Sequence, residues 1–184
     1  MRRKFSKMFW VIVLIAFFDI SRGSDQQNQG TDGIDSAVII NGIEVADRSD
    51  HAYMASMICL NLGRCGATLI AADMILSAAH CITIRSSGTL EKAPSCTIYL
   101  GGLVYYDGDV VRTVNSNRMM HHEDYTGLSP FKNDLSLLRI DAVSVTSQVA
   151  PIPLPQSGAN FQGATVKIVG WGITETGINN CEDD

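Results

Sequence analysis

A candidate general base ends the stretch Cys65 to Cys81, which reads C-G-A-T-L-I-A-A-D-M-I-L-S-A-A-H-C. His80 stands at the end of a short apolar run, directly beside a cysteine. An imidazole held rigidly at a strand end can exchange a proton near neutral pH, which is what general-base catalysis requires. Two apolar runs lead up to it, Ala67 to Ala72 and Met74 to Ala79, parted by the single polar residue Asp73. Each has strand length and is too short for a separate helix, so the pattern predicts two buried strands joined by a tight turn. If Cys65 and Cys81 pair, the bridge clamps that hairpin and fixes the loop carrying His80. Closing a loop of this length is worth about 3 kcal/mol in the chain-entropy description. A second group of interest, Asp134, precedes an alternating apolar strand, Leu135, Leu137 and Ile140. Its carboxylate is therefore expected where strand meets loop.

Four segments, taken together, resemble one known family. Ser77-Ala78-Ala79-His80-Cys81 is similar to the histidine motif of the chymotrypsin-like (trypsin-fold) serine proteases. Ile39-Ile40-Asn41-Gly42 resembles the new N-terminus of their activated zymogens, and Asn133-Asp134-Leu135-Ser136-Leu137-Leu138 their aspartate motif. Val169-Gly170-Trp171-Gly172 is similar to the Trp-Gly landmark early in their second barrel. The resemblance implies an all-β fold, a double Greek-key β-barrel, with the first barrel over residues 39–150. Residues 151–184 would be the linker and the beginning of the second barrel. It also implies peptide-bond hydrolysis, with His80 as base and Asp134 accepting from its Nδ1, fixing the tautomer and stabilising the imidazolium. It pairs Cys65 with Cys81, and Cys59 with Cys96 on neighbouring strands. Cys181 is then left over, which signals either an intermolecular bridge or a partner outside this sequence.

The family's nucleophile lies in a Gly-Asp-Ser-Gly-Gly-Pro motif, and no such string occurs in the 184 residues. Ser157, in Gln156-Ser157-Gly158, is the nearest imitation. It precedes Trp171 in a stretch resembling the family's ordinary linker, and is rejected. The oxyanion hole, the aspartate that receives the new amino terminus and the primary specificity pocket belong to the same region as the missing serine. Without them even the residual catalysis of a crippled triad, roughly 10³ to 10⁴ over water, is not expected. Three readings follow: an incomplete copy of a secreted serine endopeptidase, a short non-catalytic homologue that binds a partner, or a product that does not fold. The intact His80 and Asp134 favour the first, because a binder would be free to lose both.

The elements that must position these groups follow in chain order. Residues 1–23 combine a basic start (Arg2, Arg3, Lys4, Lys7), an apolar run from Met8 to Phe18, and small residues at Ser21 and Gly23. The run is too short to span a bilayer and fits a secretory signal peptide. Residues 24–38 are polar and aperiodic, as a propeptide would be. Cutting before Ile39 would follow Val38, with no Lys or Arg between Gly23 and Ile39. Either a protease preferring small apolar residues makes that cut, or activation does not occur. Strands are expected over Tyr53 to Leu62, Ala67 to Ala79, Cys96 to Leu100, Val110 to Val114 and Leu135 to Ile140, with Arg85 to Pro94 a polar surface loop. Pro151, Pro153 and Pro155 suit an extended crossing chain, and Thr165 to Trp171 is expected to open the next strand.

Composition narrows the partners. Removing residues 1–23 takes away five bases and one acid, moving the net charge from −5 to −9. An acidic secreted domain without a basic patch is a poor nucleic-acid binder and is repelled by anionic membranes. Protein or peptide substrates and protein inhibitors are the partners the resemblance implies, with a monomer for a complete domain and no cofactor. His121 and His122, with Glu123 and Asp124, could suggest a metal. Adjacent residues on extended chain face opposite ways, however, and the usual ligand spacing is absent.

Overall fold

The computed structural model describes residues 42–60 and 62–171. The expected signal peptide, propeptide, Ile39 N-terminus and Cys181 lie outside the described residues. After a 3-10 turn at Arg48–His51 come nine strands: β1 (Met54–Cys59), β2 (Gly63–Ala71), β3 (Met74–Ser77), β4 (Thr83–Ser86), β5 (Thr89–Lys92), β6 (Ser95–Gly101), β7 (Gly108–Asn115), β8 (Met119–His121) and β9 (Ser136–Arg139). The fold is all-β. Seven strands form one antiparallel sheet in the order β7-β6-β1-β2-β3-β9-β8. Only a 3-10 turn at Ser116–Arg118 separates β7 from β8, yet they pair at opposite edges of the sheet, with β6 and β9. One bent run of chain thus serves both edges, and the sheet curls round on itself as barrel sheets do.

The concave face is filled by side chains with no solvent exposure, among them Leu69, Ile75, Ile98, Leu100 and Leu138. Burying each contributes about 1.5–3 kcal/mol. The predicted hairpin is present: β2 and β3 turn at Ala72 and Asp73, with Ala71 opposite Met74. Cys59 lies directly opposite Cys96 on β1 and β6, and the two are joined. The loop from β6 to β7 closes tightly, since a Cβ on Gly102 would stand 1.9 Å from the Asp107 carbonyl oxygen. Only glycine fits there. From the same loop Tyr105 reaches across the sheet to the carbonyls of Met57 and Cys65.

Three expectations need correction. Arg85 to Pro94 is not a loop: Thr83–Ser86 and Thr89–Lys92 pair as a separate two-stranded sheet. Its turn residues Ser87 and Gly88 both have positive φ (50° and 88°), as a two-residue primed turn needs. The hairpin is wet on most of its surface, so it shows no apolar alternation. Its signal was the Ser-Gly pair between β-branched residues. Along β9 and the residue after it, the inward face is Ser136, Leu138 and Ile140, all buried, and Leu137 is only half-buried. Four apolar residues in the six from Leu135 to Ile140 hide the period, and a one-residue slip exchanges the faces. Finally, Thr165–Trp171 forms no strand. No described strand lies alongside to pair with its backbone, and Val166 is exposed. Trp171 instead donates its indole N–H to Leu103 O at 2.6 Å and sets its ring edge-on to Tyr105.

Candidate active site

β3 and β9 pair antiparallel, and their last rung sets Ser77 opposite Ser136. His80 lies three residues beyond β3's end of that rung, and Asp134 two residues before β9's start. Antiparallel strands therefore deliver both groups to one end of the sheet. Asn133, just ahead of Asp134, has φ of 56°, a left-handed kink that asparagine tolerates. Its side-chain amide donates to Asp124 O. On the other side, Cys65–Cys81 ties the residue after His80 back to β2, and Thr83 Oγ1–H donates to Ala79 O at 2.8 Å.

The two groups meet through a two-point contact. Asp134 Oδ1 accepts the His80 backbone N–H at 2.8 Å, and Oδ2 lies 2.6 Å from His80 Nδ1. A carboxylate can only accept, so this contact places a proton on Nδ1 and leaves Nε2 as the ring's basic nitrogen. The carboxylate is 12% exposed and the imidazole 37%. Burial by itself would raise the Asp134 carboxyl. The hydrogen bonds from the His80 ring and backbone, with the His80 charge and the Ala79 backbone, outweigh it and hold the group below its usual range. The pair is thus a carboxylate that stays ionised and holds the imidazole by its Nδ1 side.

Around the pair stand residues that motif reading did not single out. The Phe131 ring lies 6.1 Å from the His80 ring, tilted by 30°, and Tyr125 lies 6.4 Å beyond Phe131. Burial raises the Tyr125 phenol, with the Asp134 charge adding to it and a hydrogen bond with Thr83 opposing. Ser136, two residues after Asp134, is buried. The aromatic residues gave no periodic signal because they sit in the irregular loop before β9.

His80 Nε2 lies 3.5 Å from Cys81 Sγ, and Cys65, His80 and Cys81 offer three ligand-type atoms within 4.8 Å of one another. Both sulfurs are in the disulfide, so neither is a thiolate that could bind a metal ion. His121 Nδ1 lies 3.0 Å from His122 O, and His122 Nδ1 accepts from the Asp124 backbone N–H at 3.1 Å. Each of these rings thus engages the backbone locally. Ser157 sits on an exposed turn of the linker.

The curled antiparallel sheet thus carries a His–Asp pair at one end of its β3–β9 ladder. The sequence model of the trypsin family matches residues 39–181, and the chain belongs to that family. It is 34% identical over 115 residues to a collagenase of Hypoderma lineatum, covering 61% of this chain and 40% of that protein. It is 31% identical over 168 residues to trypsin I-P38 of Gallus gallus, covering 89% of this chain and 59% of the relative. Trypsin epsilon of Drosophila erecta is 27% identical over 146 residues, which is 53% of its length. A solved structure of HL collagenase superposes with a TM-score of 0.54 at 33% identity, covering 65% of this chain and 48% of that one. The chain thus spans about half the length of the curated relatives it matches.

Proposed function

We propose that this chain carries the base-and-orienter half of a secreted serine endopeptidase. His80 Nε2 would take the proton of a serine hydroxyl as it attacks a peptide carbonyl, and return it to the leaving amine. Asp134 would hold the ring by Nδ1 and stabilise the imidazolium in between. The observation that carries this reading is the two-point Asp134–His80 contact, with the shorter leg at 2.6 Å. General acid–base transfer of this kind contributes roughly 10² to 10⁴ in rate. The relatives named as trypsins and collagenase support proteins as the substrate class. The two disulfides support an oxidising, extracellular location, in keeping with the signal-like segment at residues 1–23.

No serine motif of the family occurs in the 184 residues, so as an isolated polypeptide this chain is expected to be inactive. A serine-directed phosphonate probe tests this directly. The oxidised 184-residue chain should remain unlabelled and should not cleave peptide substrates. Labelling that disappears in Ser157→Ala would show that the nucleophile had been misplaced.

A further inference from the structure

Ser136 is 2% exposed, and its hydroxyl donates to Ala78 O at 2.7 Å. The bond joins a point two residues after Asp134 to a point two residues before His80. It is made just past the final rung of the β3–β9 ladder, where Ser77 faces Ser136 and backbone pairing stops. From there the two chains leave the sheet separately, yet they must bring Oδ2 and Nδ1 to 2.6 Å. A hydrogen bond that short weakens steeply with misalignment. The His80 side of the loop has further restraints in the Cys65–Cys81 bridge and the Thr83 hydroxyl on Ala79 O. The Asp134 side enters through the left-handed Asn133. A fixed start to β9 is what keeps that kink aimed at His80.

We infer that Ser136 is a positioning residue. Its hydroxyl sets the spacing of the two strand exits and thereby keeps the Asp134 carboxylate on His80 Nδ1. It takes no part in bond making, since its proton is committed to a backbone carbonyl in a buried site. The sequence pattern hides this, because a serine among leucines reads as an outward residue of the strand. The consequence for catalysis rests on His80 and Asp134 being base and orienter. The placement of the ring proton does not, so the two readings fail separately.

The test is a comparison of Ser136→Ala with Ser77→Ala in the full oxidised chain. Ser77 is the register partner, and its hydroxyl likewise donates to a backbone carbonyl, Gly66 O at 2.9 Å. It touches neither His80 nor Asp134 through that bond. Both variants should lose similar stability. Only Ser136→Ala should change the His80 ring, which is read by long-range proton–nitrogen correlation NMR at mildly alkaline pH. The minor Nε2–H tautomer should rise roughly threefold to tenfold in Ser136→Ala, the range a single hydrogen bond spans, and stay at the wild-type level in Ser77→Ala. Ser136→Thr, which keeps the hydroxyl, should restore the wild-type ring signals. If Ser136→Ala does not fold, Ser136→Cys, with its weak donor, gives the same reading. Equal ring shifts in both alanine variants, or none in either, would overturn the assignment. Failure of proteolysis by the chain extended with a family-type serine segment, with the ring signals as expected, would count against the functional reading alone.

Discussion

Replacing Tyr105 by phenylalanine should expose how the β6–β7 loop is fastened to the sheet. The phenol stands 2.8 Å from both Met57 O and Cys65 O, and those two residues are opposed on β1 and β2. One hydroxyl proton therefore bridges two strands next to the cysteine that anchors the His80 loop. Tyr105→Phe keeps the ring contacts with Tyr106 and Trp171 and removes only this bridge. A net hydrogen bond is worth about 1 kcal/mol, and a poorly satisfied acceptor raises the cost to about 2 kcal/mol. For a folded region of this size that lowers Tm by roughly 3–8 °C. The pH dependence gives an independent check. Burial, then the neighbouring Tyr106, raises the Tyr105 phenol to about 12 from its usual 10, although its hydrogen bonds and Arg64 pull the other way. A raised value means the contribution is complete below pH 10 and is lost as pH climbs through about 12. After allowance for solvent at this half-buried ring, the loss is on the order of 1 kcal/mol. Thermal unfolding followed by circular dichroism should thus show wild type ahead of Tyr105→Phe at neutral pH, with the gap narrowing above pH 10. Equal stability at neutral pH, or a gap that widens in alkali, would refute the argument.

The opposite limb belongs to Asp134. Its lowered carboxyl contributes stability above the usual carboxylate range, and that contribution disappears as pH falls through the folded value. Acid titrations should show this loss in wild type and not in Asp134→Asn, which should already be less stable at pH 7 by about 1.5–3 kcal/mol. Opening Cys65–Cys81, which spans 16 residues, by a double serine substitution should cost about 3 kcal/mol. Unreduced peptide mapping of wild type should recover the Cys65–Cys81 and Cys59–Cys96 peptides, and any other linkage of these four would contradict the register found here.

What could be read from the sequence followed the strength of the local pattern. The β2–β3 hairpin was plain, because two apolar runs flank a single Asp73 and only a buried turn explains that. His80 and Asp134 stood out because each breaks an apolar run at its edge. The facing of β9 was not legible, since Leu135, Leu137 and Leu138 occupy both parities and conceal Ser136 on the inner face. The β4–β5 hairpin escaped because a ribbon wet on most of its surface carries no hydrophobic period, leaving Ser87-Gly88 as its sole mark. Phe131 and Tyr125 lie in a loop whose course depends on Asn133's left-handed turn. Tertiary packing sets that placement, and local propensity does not reveal it.

The central claim is that His80, oriented by Asp134, is the base of a serine endopeptidase. It is tested most directly by extending the chain past Asp184 with a family-type segment bearing Gly-Asp-Ser-Gly-Gly-Pro and measuring kcat/KM on peptide substrates with and without His80→Ala. The folded extended chain should hydrolyse peptides, and His80→Ala should lower kcat/KM by roughly 10² to 10⁴ or more. Hydrolysis by the extended chain that His80→Ala leaves unchanged would contradict the account.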